Sequence, residues 1–177
     1  VAGPTTLRIE PWTGVLTNAG AYTLISYSGA LIGNPADLTI ASGTRYAFAL
    51  DTSVPGKIRI SVTAGAPLNG LWLGDVANSL PQADWDVGLT PNWDTGIGAP
   101  DVFKSGDSVT FDDTTVSFTV NLVGGLSPSS MFFGHDNDYL LTGSGSLGGG
   151  SLTKFRGGTL VIANSGANAF LGPVSIL

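Results

Sequence analysis

Cysteine is absent from this 177-residue chain, so neither a disulfide framework nor a thiolate metal site can hold it together. A chain of that length can bury a working core in one domain, or two at most, without such staples. Charge is also scarce: charged side chains make up 11% of the residues and the net charge is −6. The basic patch that neutralises nucleic-acid phosphates is therefore missing, and no nucleic-acid partner is expected. Glu10 is the only glutamate, and the lysines are Lys57, Lys104 and Lys154 alone. With so few long-stemmed helix formers, the composition argues against a helical fold. No apolar run is long enough to cross a membrane as a helix, and no charged leader precedes an apolar stretch. No membrane span is expected, and Val1 in place of methionine suggests processing or a cut chain.

Glycine is plentiful, with Ser, Thr, Val and Asp around it, a composition of strands and turns. The fold class that this implies is all-β. Between Tyr22 and Val62 the runs alternate with period two: Ile58, Ile60 and Val62 share one side, opposite Lys57, Arg59 and Ser61. The segment 1–66 is accordingly expected to be a β-rich N-terminal half, more irregular than the C-terminal part of the chain and continuous with it. From 67 to 102 the chain is rich in tryptophan and proline, and four prolines there argue for an ordered loop, packed by Trp72, Trp85 and Trp93. From 103 to 177, short runs with single aliphatics alternate with hydroxyl and glycine corners. Val109 and Phe111, then Val116, Phe118, Val120 and Leu122, then Leu147, Leu152, Leu160 and Ile162 mark successive strands. A chain that turns every few residues in this way is the sequence form of a β-solenoid.

Several chemical readings compete with a purely structural one. Gly143-x-Gly145-x-x-Gly148 has dinucleotide-binding spacing, but that motif needs a helix after it, and GGSLTKF is not helical. His135 is the only histidine, and no Gly-x-Ser-x-Gly elbow exists to give it a nucleophile, so a turn role outweighs a Ser-His-Asp triad. Asp112-Asp113 and Gly134-His135-Asp136 are similar to fragments of the polygalacturonase pattern, yet its other motifs are absent and adjacent strand residues point to opposite faces. No catalytic residue is assigned. Asp136, Asn137 and Asp138, like Asp107, Asp112 and Asp113, are close-spaced oxygen donors of the kind calcium takes, against the plainer reading that they bond their own turn backbones. No other cofactor is expected. Trp72, Trp85, Trp93 and Tyr139 could form a stacking platform for a glycan, against the plainer reading that they lock the fold.

Many spaced positions agree with one family. Trp72-Leu73-Gly74, Trp85-Asp86, Asn92-Trp93, Phe103-x-x-Gly106-Asp107-x-Val109-x-Phe111-Asp112-Asp113-Thr114, Tyr139-x-x-x-Gly143-x-Gly145-x-Leu147-x-Gly149, Leu152-x-Lys154, Gly158-Thr159-Leu160 and Asn168-x-Phe170-x-Gly172 occur in order. Together this stretch resembles the autotransporter-associated β-strand repeat, also called the passenger-associated transport repeat. The resemblance implies a right-handed parallel β-helix in an exported bacterial protein, extracellular or at the cell surface, with scaffold or transport roles and no catalytic residues. Two departures stand out: the usual Lys-x-Gly-x-Gly-Thr-Leu appears as Lys154-Phe155-Arg156-Gly157-Gly158-Thr159-Leu160, and no barrel-forming translocator is present.

The expected function is a non-enzymatic structural protein whose open coil ends stack head-to-tail into a filament or stalk. Residues 15–50 would supply one end, and an assembly edge at Phe170, Val174, Ile176 and Leu177 the other. A glycan-binding adhesin module is the alternative, and a polysaccharide-cleaving β-helix enzyme the third reading.

Overall fold

The computed structural model describes residues 5–9, 21–76, 82–97 and 100–177, and it divides the chain into two compact units, Val1–Ala66 and Pro67–Leu177. Residues 15–20 of the expected N-terminal end lie outside the described residues. The first unit contains β1 (Thr5–Ile9), β2 (Ala21–Ser26), β3 (Leu38–Ser42), β4 (Ala47–Asp51) and β5 (Lys57–Ala64). β1 pairs in parallel with β3, while β5 runs antiparallel between β2 and β4. The period-two alternation of β5 buries Ile58, Ile60 and Val62 and leaves Lys57 in solvent. Arg59 reaches across the sheet to Asp51, and hydrogen bonds from the Ser53 hydroxyl and then the Arg59 guanidinium hold the Asp51 carboxyl far below the usual carboxylate range.

The second unit is a parallel β-solenoid of about three turns. A leading half-turn is made by β6 (Asn69–Trp72), β7 (Gln82–Trp85) and β8 (Trp93–Asp94). Three regular coils come next: β9 (Ser108–Phe111), β10 (Thr119–Leu122) and β11 (Gly125–Leu126), then β12 (Ser130–Gly134), β13 (Tyr139–Gly143) and β14 (Ser146–Gly149), then β15 (Ser151–Phe155), β16 (Leu160–Ile162) and β17 (Ala169–Phe170). β18 (Val174–Ile176) opens another coil. Equivalent strands stack into three faces, ordered β8-β6-β9-β12-β15-β18, β7-β10-β13-β16 and β11-β14-β17. Ser108 pairs with Ser130 and Ser130 with Ser151, steps of 22 and 21 residues, and Thr119 pairs with Leu140 at a step of 21. Among the described residues there is no α-helix, only a 3-10 turn at Pro35–Asp37, and no helix is long and apolar enough to cross a membrane.

Register turns the alternation into columns. Val109, Met131 and Leu152 stack inward on one face, and Val120 and Leu141 on the next, all at most 3% exposed. Phe111 lies on Phe133 with centroids 4.4 Å apart and planes 3° from parallel. Each such side chain contributes roughly 1.5–3 kcal/mol by leaving water, and none could do so in an isolated coil.

The tryptophan-rich segment departs from the loop expected of it. Residues 69–72 and 82–85 are strands of the solenoid itself, because the prolines at 67, 91 and 100 fall outside the strands and leave four-residue stretches free to pair. The irregular part within the described residues is an insertion after β7, from which Trp93 enters the core and β8 runs antiparallel to the outer edge of β6.

Candidate functional site

The four aromatic residues expected to stack on a sugar are inside the protein. Trp72, Trp85, Trp93 and Tyr139 are each no more than 1% exposed. Trp93 packs edge-on against Trp72 and Trp85 at 5.0 and 5.3 Å, and Phe111 touches both neighbours. The Trp72 Nε1–H donates to the Ser117 carbonyl at 2.9 Å, and the Tyr139 hydroxyl to the Asp112 carbonyl at 2.6 Å. Burial raises the Tyr139 phenol well above its usual range. A ring whose faces are covered by other rings has none left for a pyranose, so this platform is corrected to a core cluster.

The aspartates gather instead at the corner between the first two faces, where each coil holds the next. The Asp113 carboxylate accepts from the Asp136 amide at 3.0 Å, the Asn137 amide at 3.0 Å and the Asn137 side-chain amide at 2.8 Å. One coil later, Asp138 accepts from the Thr159 amide at 2.7 Å, and Asp136 from the Gly157 amide at 3.3 Å. Amides of each later coil are thereby satisfied by carboxylates of the coil before it. Hydrogen bonds from the Asn137 and Asp136 amides hold Asp113 below the usual carboxylate range, and the Thr159 amide does the same for Asp138.

This also decides how the calcium candidates are arranged. Asp136 and Asp138 turn their oxygens to separate amides, and Asn137 offers its Nδ2 to Asp113 rather than an oxygen to a shared centre. Asp107, grouped with Asp112 and Asp113 by sequence, is buried elsewhere and accepts from the Leu68 and Lys104 amides. Among the described residues no group of three or more His, Cys, Asp or Glu side chains is placed to hold a metal ion.

His135 belongs to the same corner and is fully buried. Its Nδ1 lies 2.5 Å from the Asn137 carbonyl, so that nitrogen carries the proton and donates. Nε2 is buried without a hydrogen-bond partner, leaving no hydroxyl in place for it to activate. Desolvation holds the imidazole below its usual pKa, and the nearby Lys154 charge acts in the same direction. The glycines 143, 145 and 148 have the context that sequence anticipated: strand β15 comes after them, not a helix. A Cβ at Gly145 would lie 2.6 Å from the Leu122 carbonyl carbon, so close stacking of coils accounts for that glycine.

The expected assembly edge lies on the last strands. Val174, Ile176 and Leu177 are 56%, 81% and 78% exposed, and Phe170 is half-buried against the core. β18 covers β15 only, so β16 and β17 stand as terminal strands of their faces. Between them is a hollow of about 350 Å³ lined by Leu152, Leu160, Ile162, Phe170, Val174 and Ile176, together with Lys154.

Two features escaped the sequence reading. Lys154 points inward, in register with Phe133, and its Nζ donates to the Phe155 and Arg156 carbonyls at 2.9 and 2.8 Å. Alternation with Leu152 was the available signal. Phe132 and Phe155 point outward and are 42% and 45% exposed, which the same alternation implies once Phe133 and Lys154 are known to face in. Comparison with family models, with curated proteins and with solved structures finds no match to this chain.

Proposed function

We propose that this chain is a non-catalytic structural element of an exported bacterial surface or extracellular protein, a solenoid on which further coils stack head-to-tail. The observation that carries the reading is the terminal coil. Three strand edges surround an apolar hollow there, and Ile176 and Leu177 stand largely in water. At the opposite end β7 and β11 are, among the described residues, likewise terminal strands of their faces, and a second copy in the same orientation would extend two parallel sheets. Pairing satisfies the backbone groups of both edges while removing exposed aliphatics from water. The corner carboxylates support the same role, since they perform coil-to-coil bonding rather than converging on a substrate. The exported setting proposed here rests on the resemblance of the sequence to autotransporter-associated repeats.

Light scattering coupled to size exclusion, with negative-stain imaging, tests this directly. The chain should form concentration-dependent linear stacks, and the double variant Val174→Lys, Ile176→Lys should remain a folded monomer. A wild-type chain that stays monomeric at high concentration would rule out stacking between copies of this chain.

A further inference from the structure

We infer that the outer surface of the β9-β12-β15 face is a binding strip for a neutral, pyranose-based glycan, centred on Phe132 and Phe155. This proposal uses a face distinct from the coil end and does not depend on stacking. The two rings lie near one another across the β12–β15 ladder, with centroids 6.5 Å apart and planes within 28°. Both are little less than half-exposed on an outward surface, where water contact of two phenyl groups is unfavourable. Their surroundings are hydroxyls: Ser130 pairs with Ser151, and Thr153 sits opposite Phe132, with Thr110 on its other side. All four are half-buried and so are held in fixed positions at strand spacing, about 4.8 Å.

The occupant is set by area and charge. Two partly exposed phenyl rings supply far less apolar surface than the roughly 800 Å² per partner of a stable protein interface. They match a sugar ring, whose apolar face lies on an aromatic while its rim hydroxyls exchange hydrogen bonds with Ser and Thr. None of the six side chains is charged, which fits a neutral glycan rather than a phosphate, sulfate or uronate polymer.

Phe132 has a structural duty as well. A Cβ at Gly134 would lie 2.6 Å from the Phe132 ring, so that ring covers the glycine and its removal could disturb β12. The test therefore pairs Phe155→Ala with Phe132→Leu, which keeps an apolar cover on Gly134 but removes the aromatic ring. Binding of cellohexaose and chitohexaose is measured by saturation-transfer NMR and calorimetry, with the fold checked by thermal melting. At least one oligosaccharide should bind, and each variant should weaken it roughly five- to tenfold with the melting transition retained. Absence of binding to both probes at millimolar concentration overturns the inference, as does binding that is unchanged in both variants. Concentration-dependent self-association that the variants abolish, without sugar binding, would reassign the strip to contacts between copies.

Discussion

Substituting alanine at two glycines of the solenoid should give opposite results, and the difference comes from how closely the coils stack. At Gly150 a Cβ would lie 1.6 Å from the Ser129 carbonyl oxygen, whereas real Cβ contacts essentially never fall below 3.0 Å. One backbone must therefore give by about 1.4 Å, the difference of those two distances. That displacement breaks the ladder around it, where the Gly150 amide donates to the Pro128 carbonyl at 2.9 Å and the Gly172 amide to the Gly150 carbonyl at 3.3 Å. Two backbone bonds lost in a part-buried setting cost about 3 kcal/mol together, counting the groups left unsatisfied. At Gly157 a Cβ would meet only the Asp136 Oδ1 at 3.8 Å, an ordinary contact, and no left-handed φ is required. Gly157→Ala should stabilise by about 0.4–1 kcal/mol through the unfolded chain's lost freedom. Urea unfolding monitored by tryptophan fluorescence reads both, because Trp72, Trp85 and Trp93 lie in the solenoid core. If Gly150→Ala costs less than about 1 kcal/mol, or if Gly157→Ala is equally damaging, the coils do not stack in this register.

Three further outcomes are expected. Trp85→Ala should destabilise by about 3–5 kcal/mol, as loss of a core ring does, and a surface-like cost below about 0.5 kcal/mol would contradict its place in the core. Stability should fall with acid in two stages, measured as melting temperature against pH. His135, held below its ordinary value, binds a proton more readily when unfolded, so its share is complete above about pH 6.5 and is lost as pH drops below that. Asp113 and Asp138, also held low, contribute above their ordinary carboxylate range and lose that share as pH falls through their folded values. A melting temperature unchanged from pH 7 to pH 3 would refute both assignments. Arg156 adopts a φ of 73°, in the left-handed region. Its ion pair with Asp136 is exposed, so Arg156→Gly should leave stability unchanged or raise it by up to about 1 kcal/mol, and a clear loss in chemical denaturation would show that the Arg156 side chain matters more than its backbone.

The alternation of Lys57–Ala64 was legible because one buried face demands period two whatever the strand's partner, and the same rule marked Val109, Phe111, Val120 and Leu122, but it failed at Val116, which was read with them and is exposed in the bend before β10. Corner glycines and aspartates were legible for a similar local reason, since turns need those residues wherever they occur. The tryptophans could be placed in the fold but not on a side of it: a four-residue strand such as Gln82–Trp85 is too short for alternation to outweigh the prolines around it. Likewise, DDT, HDND and RGGT read as separate turns, and nothing local says that Asp113 bonds amides 23 and 24 residues away.

Composition and spacing alone thus determined an all-β solenoid without disulfides, with its inward aliphatics and its corners, because both depend on residues a few positions apart. Only the tertiary structure decided which partners those residues meet. The 21- or 22-residue step stacks Phe111 on Phe133, sets the Asp113 carboxylate over the next coil's amides, buries Lys154 and leaves Phe132 and Phe155 facing water. Such contacts between coils depend on the length of each turn, which is fixed only when backbone pairing closes it.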